Sequence, residues 1–250
     1  MTGVILKAVN LSKRFGGVNA VDDASLDVVE GSITGLIGPN GAGKTTMFAL
    51  MSGFEVPSRG RVAFGGQDIT SLSAHERARL GLARTFQIVQ PFAGLSVIDN
   101  IAVGAYLRHV GRTDAYAAAR DVATLVGLAN QLDKPAASLP VVGRKRLELA
   151  RALATGPRVL LLDEVLAGLN PSEIRDMLPV VRTIRDQGVT ILMIEHVMQA
   201  VMSLCQSIYV LAEGRMIAAG TPAAIAKTPA VIEAYFGHGA AQRWAGVAHA

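Results

Sequence analysis

Cysteine, long apolar runs and excess charge are all scarce in this sequence. The chain of 250 residues has one cysteine, Cys205, so no disulfide can form within it, and this favours a reducing compartment. No apolar run approaches the roughly 20 residues that a membrane-spanning helix needs. The first residues lack the charged region, apolar core and cleavage site of a signal peptide, so none is predicted.

The charge balance is mild. There are 24 Lys and Arg against 20 Asp and Glu, a net charge of +4. This excess is compatible with binding an anionic nucleotide or with lying near an anionic membrane face, and it is too weak to indicate a nucleic-acid partner. Half of the residues are hydrophobic. That is enough for one large domain, or for one domain with an inserted subdomain.

A glycine-rich segment is the most informative part of the sequence. The run Gly38-Pro39-Asn40-Gly41-Ala42-Gly43-Lys44-Thr45 matches the pattern G-x-x-x-x-G-K-[ST]. It follows an apolar stretch, Ile33 to Ile37, and precedes a predicted helix from Thr46 to Met51, which is the setting of a phosphate-binding loop. Glycines let backbone N–H groups turn toward a phosphate, and the helix N-terminus favours an anion. Lys44 can then reach the β- and γ-phosphates, and the Thr45 hydroxyl can bind Mg²⁺.

Short apolar and β-branched stretches predict the strands of an α/β core. We predict strands over 4–9, 18–29, 33–37, 61–64, 159–162, 189–194, 208–211 and 215–219. Glu213-Gly214 predicts a hairpin turn between the last two strands. Continuous apolar strands that follow helices are typical of a parallel sheet covered on both faces.

Residues 91–154 differ from the rest because Ala-rich helical periodicity dominates them, most clearly from Asp114 to Val126. We predict a single domain in which this helical segment is inserted into a core formed by 1–90 and 155–236, followed by a flexible tail over 237–250. Helix starts are also predicted at Ser73, where Glu76 completes a capping box, and at Asn170-Pro171.

The run Val159 to Glu164 supplies a second element of a phosphate site. Four apolar residues are followed by Asp163, which places a carboxylate at the carboxyl end of a buried strand, where ligands bind in open α/β sheets. Asp163 can belong to the Mg²⁺ shell, and Glu164 can polarise the water that attacks the γ-phosphate. A strand that ends in solvated acids is the alternative, and the phosphate-binding loop favours the functional interpretation.

Taken in order, these segments resemble the ATPase subunit of an ATP-binding cassette (ABC) transporter over residues 4–236. The resemblance implies an α/β, P-loop NTPase (RecA-like) fold with a parallel-sheet core, an N-terminal antiparallel β subdomain and an inserted α-helical subdomain. The matching elements are Phe15 (the aromatic that stacks on adenine), Gly38 to Thr45 (Walker A), Gln87 in Arg84-Thr85-Phe86-Gln87 (Q-loop), RKRLELARAL at 144–153, Asp163-Glu164 (Walker B), Ala167 to Asn170 (D-loop) and His196 (switch histidine).

The resemblance also implies roles for these residues. The expected catalytic set is Glu164, His196, Gln87 and Lys44; the expected ATP-binding set is Phe15, Gly38, Pro39, Asn40, Gly41, Ala42, Gly43, Lys44, Thr45 and Thr46; and the expected Mg²⁺ set is Thr45, Gln87 and Asp163. Phe15 offers a π-face to a base, with core packing as its alternative. Gln87 lies where the core joins the insertion and can report the γ-phosphate to it, or it is a surface glutamine. His196 can donate a hydrogen bond to the γ-phosphate.

One segment departs from the family pattern. The family signature has the sequence LSGGQ or a near variant, whereas the register set by 144–153 places Leu139-Pro140-Val141-Val142-Gly143 there. Pro140 has neither a hydroxyl nor an N–H to donate, and Val142 adds a Cβ where a close backbone approach is wanted. We therefore expect an asymmetric pair, in which a different ATPase subunit supplies the signature that closes this chain's site. A local variant that still works is the alternative.

Four segments narrow the resemblance to branched-chain amino acid importers, and there to the larger of two ATPases: ARTFQIVQPFAGLSVIDNI, LLLDEVLAGLNPSE, ILMIEHVM and VIEAYFG. That family implies a second cassette, different from this chain or a copy of it, two membrane permease subunits, and a periplasmic binding protein that acts indirectly. It also implies a peripheral location at the cytoplasmic face of the inner membrane.

Residues 88–100 are expected at the permease contact, where Phe92, Leu95 and Val97 are either apolar anchors or core residues. Two other functions remain open. One is a soluble ABC ATPase of cluster assembly or DNA maintenance, although no long heptad insertion is visible. The other is a regulatory nucleotide-binding module that hydrolyses ATP weakly.

Overall fold

The computed structural model of the protein describes residues 3–88 and 90–236. The strands of this part of the chain are β1 (Val4–Phe15), β2 (Val18–Val29), β3 (Ile33–Ile37), β4 (Arg59–Phe64), β5 (Gln67–Asp68), β6 (Leu82–Arg84), β7 (Val159–Asp163), β8 (Thr190–Ile194), β9 (Ser207–Ala212) and β10 (Arg215–Gly220). Its α-helices are α1 (Lys44–Ser52), α2 (Ala74–Leu80), α3 (Val97–Ala105), α4 (Arg112–Leu125), α5 (Val141–Leu153), α6 (Pro171–Asp186), α7 (Met198–Leu204), α8 (Pro222–Ile225) and α9 (Pro229–Phe236).

The described residues form two compact units. The first contains 3–72 and 192–236, the second contains 73–88 and 90–191, and the second boundary falls within β8. The predicted helical insertion, 91–154, lies inside the second unit, and its boundaries stay a prediction. The predicted flexible tail, 237–250, lies outside the described residues.

An antiparallel sheet of four strands, in the order β2-β1-β4-β5, belongs to the first unit. β1 was predicted to end at Val9, and this was wrong because the strand continues to Phe15. Its register against β2 shifts between Ala8 and Leu11, and Asn10 there has a φ of 49°. A bulge of this kind changes which face a side chain points to, so the alternation that predicts a strand is lost while the pairing continues.

The first unit also holds the strand that leads into the glycine-rich loop. Every residue of β3 is buried, and β3 pairs in parallel with β9, which pairs antiparallel with β10. The hairpin turn predicted at Glu213-Gly214 is confirmed, with φ values of 49° and 79°. Two consecutive left-handed residues are typical of a type I′ turn. Cys205, directly after α7, is buried at 6% exposure.

The second unit combines a short parallel strand pair with packed helices. β6 pairs in parallel with β7, and all five residues of β7 are buried. Helix α4 buries a stripe of three alanines, Ala115, Ala119 and Ala123. A Cβ at Gly104 of α3 would collide with the carbonyl oxygen of Arg151 in α5, so these two helices touch closely. The Ala-rich pattern of this segment therefore reflects close helix packing.

Helix starts follow their predicted caps. The capping boxes of Ser73 with Glu76 and of Asn170 with Glu173 are both present, and Pro171 occupies the first turn of α6. Within the described residues, no helix has the length and apolarity needed to cross a membrane. Helices and mixed parallel and antiparallel strands confirm the predicted α/β fold class.

Candidate functional site

The glycine-rich loop of the first unit is held in shape by close backbone contacts. Gly38 and Gly43 have φ values of 152° and 102°, and a Cβ on either would collide with a backbone carbonyl oxygen, that of Leu211 or that of Ala20. The Ala42 carbonyl accepts a hydrogen bond of 2.9 Å from the Gly214 N–H. Only glycine satisfies both the left-handed backbone at Gly43 and the close contact. The loop is therefore a preformed backbone cradle.

Lys44 begins the helix that follows this loop and folds back over it. Its side chain is buried at 6% exposure, and Nζ donates to the carbonyl oxygens of Gly38 at 2.8 Å and Pro39 at 2.9 Å. The ammonium thus lies against the carbonyls of the loop, and its contact with the β- and γ-phosphates stays a prediction. Thr45, whose hydroxyl is the predicted Mg²⁺ ligand, is an exposed residue, and Thr46 is half-buried.

The last helix of the described chain supports the same loop. Tyr235 of α9 accepts a hydrogen bond from the Gly38 backbone N–H, and burial raises the pKa of its phenol. Around it, α7, α8 and α9 form an apolar pocket whose lining includes Ile37, Met198 and Val231. The phosphate-binding loop is therefore contacted by residues from both ends of the first unit, a support that local sequence patterns did not indicate.

Phe15 lies at the end of β1, and its ring is 46% exposed, so the core-packing alternative is wrong for this side chain. Lys13 Nζ lies 5.0 Å from the ring centroid and forms an ion pair of 2.7 Å with Glu55. A cation over an aromatic face is attractive and restricts the ring. His196 is exposed in the segment between β8 and α7, and the neighbouring Glu195 is buried.

In the second unit, Asp163 ends β7 with its side chain 2% exposed. Its Oδ2 accepts a hydrogen bond of 2.7 Å from Arg84 Nη2, while Oδ1 is buried without a hydrogen-bond partner among the described residues. Thr85 fixes the backbone here, because its hydroxyl accepts from the Asp163 N–H at 3.0 Å. A buried carboxylate oxygen of this kind is available to a cation.

Gln87 and Glu164 are in direct contact. Gln87 Nε2 donates to Glu164 Oε2 at 2.6 Å, although the two residues are far apart in the sequence. Glu164 has a φ of 51°, which is uncommon for a residue with a side chain and costs about 1 kcal/mol or more. Strained backbone of this kind is typical of functional sites, where the surrounding structure holds it in place.

Two side chains that sequence patterns did not indicate organise the segment around Gln87. Asn100 is fully buried, and its amide donates to the carbonyls of Phe92, Leu95 and Ser96 at 2.9 to 3.4 Å. Lys145 of α5 is 8% exposed and donates to the backbone oxygens of Glu164 and Gln87. Both lie in segments that resemble the family, but no role was predicted for either, because each acts on backbone groups whose positions only the fold shows.

The segment expected at a partner contact is partly exposed. Ile88 is 73% exposed, Phe92 is 45% and Leu95 is 38%, whereas Val97 is fully buried. Val97 is therefore a core residue, and the other two remain candidates for anchors. At the signature position, Pro140 is exposed and caps α5 without a side-chain hydrogen bond, and Val141 is 53% exposed.

These features define a class of protein. A glycine cradle that leads into a helix with a lysine at its first turn, and a strand that ends in paired carboxylates, are the marks of a P-loop ATPase. Comparison with known proteins agrees. A family model described as ABC transporter matches residues 21–167, and one described as branched-chain amino acid ATP-binding cassette transporter matches residues 215–241. The chain belongs to the ATP-binding cassette family of ABC transporters.

Individual relatives match nearly the whole chain. The high-affinity branched-chain amino acid transport ATP-binding protein BraF of Pseudomonas aeruginosa is 38% identical over 95% of this chain and 99% of that protein. LivG of Salmonella typhimurium, of the same description, is 38% identical over 93% of this chain and 98% of that protein. A crystal structure of the ADP conformation of an ABC transporter cassette superposes with a TM-score of 0.86 at 31% identity, and covers 95% of this chain and all of that one.

Proposed function

We propose that this chain is the ATP-hydrolysing subunit of an importer for branched-chain amino acids or related small amino compounds. The observation that carries the proposal is the preformed cradle of Gly38 to Thr45 in a chain whose relatives, over nearly their full length, are branched-chain amino acid transport ATP-binding proteins. The match of residues 215–241 to a segment of that transporter class supports the narrower assignment.

The cradle and its lysine bind the phosphates of ATP. The N–H groups of the loop and of the first turn of α1 donate to the β-phosphate, and Lys44 offsets negative charge on the β- and γ-phosphates. Phe15 stacks on the adenine through the exposed part of its ring, which Lys13 holds in place. His196 donates a hydrogen bond to the γ-phosphate.

Two residues, one in each unit, have the chemistry of a Mg²⁺ ligand. Thr45 is an exposed residue with a hydroxyl, and Asp163 has a buried carboxylate oxygen with no hydrogen-bond partner among the described residues, so each offers the hard oxygen that Mg²⁺ prefers. Gln87 is the third predicted ligand. When bound, Mg²⁺ neutralises charge that develops on the phosphoryl oxygens. Arg84 holds the other oxygen of Asp163 and so fixes its rotamer.

Glu164 is the general base for the attacking water. The left-handed backbone sets the direction of its side chain, and the Gln87 amide holds one carboxylate oxygen. Because the same amide belongs to the segment that leads to the exposed residues Ile88, Phe92 and Leu95, a change at the γ-phosphate can reach the surface that faces a partner. We assign that surface to the permease subunits, which places the chain at the cytoplasmic face of the membrane.

The substitution Glu164→Gln tests the proposed role of Glu164 as the general base. The substitution keeps the shape and the contact with Gln87 but removes the base, so ATPase activity of the assembled transporter falls roughly 100-fold or more, as loss of a general base predicts. ATP binding stays within about twofold, because no phosphate contact is lost. Activity close to that of the wild type would remove Glu164 from the proposed role.

Purification of this chain from its native membranes in mild detergent, with mass spectrometry of the proteins bound to it, tests the assignment to an importer. A second, different cassette with two polytopic membrane proteins supports the importer and an asymmetric pair. Only soluble partners would favour a soluble ABC ATPase instead. A complex that binds ATP but does not hydrolyse it would favour a regulatory module.

A further inference from the structure

Helix α5 carries a row of charged side chains on its buried face. Lys145, Glu148 and Arg151 are spaced three residues apart, which places them along one side of the helix. Lys145 and Glu148 are 8% and 7% exposed. Charged side chains are rarely buried unless they have partners, so the contacts of this row account for its burial.

Lys145 contacts the backbone of the two residues that we assign to the hydrolytic water. Its Nζ lies 3.0 Å from the Glu164 carbonyl oxygen and 3.4 Å from the Gln87 carbonyl oxygen. A single buried ammonium thus joins Glu164, directly after β7, to Gln87, three residues after the end of β6. The Glu164 carbonyl belongs to the residue with strained backbone, where an added donor opposes relaxation to an ordinary conformation.

The other two members of the row hold the rest of the same segment. The Glu148 carboxylate accepts a hydrogen bond from the Phe86 backbone N–H, and burial raises its pKa while Arg151 opposes that shift. Arg151 Nη1 donates to Glu148 at 3.3 Å and to the Gln90 carbonyl at 2.9 Å, and its guanidinium lies 4.6 Å from the Phe92 ring centroid. The contacts of these two residues thus lie on the segment 86–92, whereas Lys145 contacts Glu164 directly.

We propose that Lys145 is a positioning residue for hydrolysis, which fixes the backbone of Glu164 and Gln87 relative to α5. The proposal rests on the function proposed above for those two residues. Helix α5 begins at Val141, in the signature position, so Lys145 lies about one turn from the segment expected to meet the partner cassette. A shift of that helix start changes the Lys145 contacts and, through them, the direction of the Glu164 carboxylate.

Lys145→Met keeps most of the side-chain volume and removes the ammonium. In the intact transporter, with its partner cassette and permeases, we expect kcat for ATP to fall about 10- to 100-fold, because misplacement of a catalytic group by about 1 Å has effects of this size. The Kd for ATP, measured in a Glu164→Gln background, stays within about twofold. Lys145→Arg, which keeps a donor, recovers at least part of kcat.

Four further variants separate positioning from folding. Lys134→Met makes the same chemical change at an exposed lysine, and its kcat stays at the wild-type value. Gln87→Ala lowers kcat alone, and adding Lys145→Met to it lowers kcat less than the product of the two single effects, since neighbours that act together are not additive. Arg151→Met disturbs the loop without removing a contact to Glu164.

The results overturn the proposal in two cases. One is a wild-type kcat for Lys145→Met. The other is a fall in kcat that Lys145→Arg does not relieve and that accompanies a lower Tm and poor assembly, as in a merely structural role. Wild-type protein and Glu164→Gln are assayed in parallel. If the wild type fails to hydrolyse ATP, or if Glu164→Gln is unimpaired, the proposed function fails and this proposal with it.

Discussion

At the scale of single residues, the phosphate-binding loop depends on positions where a side chain cannot be accommodated. Gly43 has a φ of 102°, and a Cβ at this position would collide with the backbone carbonyl of Ala20. Gly66 also has a positive φ, 83°, but nothing lies within 4 Å of the place where its Cβ would be. The two glycines therefore separate the effect of backbone strain from the effect of a collision.

Gly43→Ala is expected to lower the free energy of unfolding by roughly 1–3 kcal/mol or more, because the cost of the strained backbone and the cost of displacing the Ala20 carbonyl add up. Gly66→Ala is expected to lower it by roughly 1 kcal/mol, the effect of strain alone. Urea denaturation of both variants measures the difference. Equal losses would mean that the backbone near Ala20 moves aside easily and that the loop is less fixed than we infer.

At the scale of elements, the start of α3 depends on one ionised carboxylate. Ser96 caps the helix by accepting from the Asp99 N–H at 3.2 Å, and Asp99 in turn accepts from the Ser96 hydroxyl and from Tyr116 of α4, each at 2.5 Å. These bonds, that of Ser96 most strongly, lower the pKa of Asp99, and the bond to Asp99 raises the pKa of Tyr116. The cap thus joins two helices.

Asp99→Asn tests this link through its pH dependence. A carboxyl whose pKa is lowered by folding stabilises the protein above its ordinary pKa, near 4, and loses that contribution as the pH falls through its native-state pKa. We therefore expect the variant to be about 1 kcal/mol less stable at pH 7 and the difference to shrink toward low pH. Asp121→Asn, an exposed change in α4, serves as control. A difference that does not vary with pH would rule out the ionised cap.

The elements also show where sequence patterns stop being informative. The buried strands β3 and β7 and the caps at Ser73 and Asn170 were predicted because a local run of residues determines each. The extension of β1 to Phe15 was missed because a bulge interrupts the alternation while a neighbouring strand maintains the pairing. Local signals therefore predict short regular strands well, and they fail where a bulge breaks the alternation and pairing with another strand determines where the strand ends.

The residues of the candidate site also differ in how well the sequence predicted their roles. The glycine loop, Asp163 and Glu164 carry motif signals, because phosphate and metal chemistry restrict which residue types can serve. Lys145, Arg84 and Asn100 lie in segments that resemble the family, but no role was predicted for them, because their roles depend on backbone groups and a carboxylate whose positions only the fold shows. A single sequence thus predicts the groups that meet a ligand better than the groups that position them.

At the scale of the whole molecule, the segment around Pro140 is the basis of the expected asymmetry between two cassettes. Pro140 and Val141 are exposed where a signature segment is expected, and the α5 cap has no side-chain hydrogen bond. If this segment closes a partner's nucleotide site poorly, one site of the pair is silent. Under the proposed function, we then expect the pair to hydrolyse ATP at the site to which this chain contributes its phosphate-binding loop.

The double substitution Pro140→Ser and Val142→Gly restores a hydroxyl cap and a close backbone approach. In the assembled pair, ATP hydrolysis is expected to rise by up to about twofold, since a second site becomes active. Pro140→Ala, which removes the ring without adding a hydroxyl, is the control. An unchanged rate in the double variant would show that the natural segment already works and that the pair is not asymmetric for this reason.

The second unit is continuous in the sequence and the first is not, and this difference bears on the order in which they fold during synthesis. The second unit is one continuous stretch that ends at 191, whereas the first needs residues 192–236 to join 3–72. The Leu211 carbonyl over Gly38, the bond from Gly214 to Ala42 and the contact of Tyr235 with Gly38 all belong to that later stretch. During synthesis, units fold as they become complete. The phosphate-binding loop is therefore translated well before the residues that give it its final support.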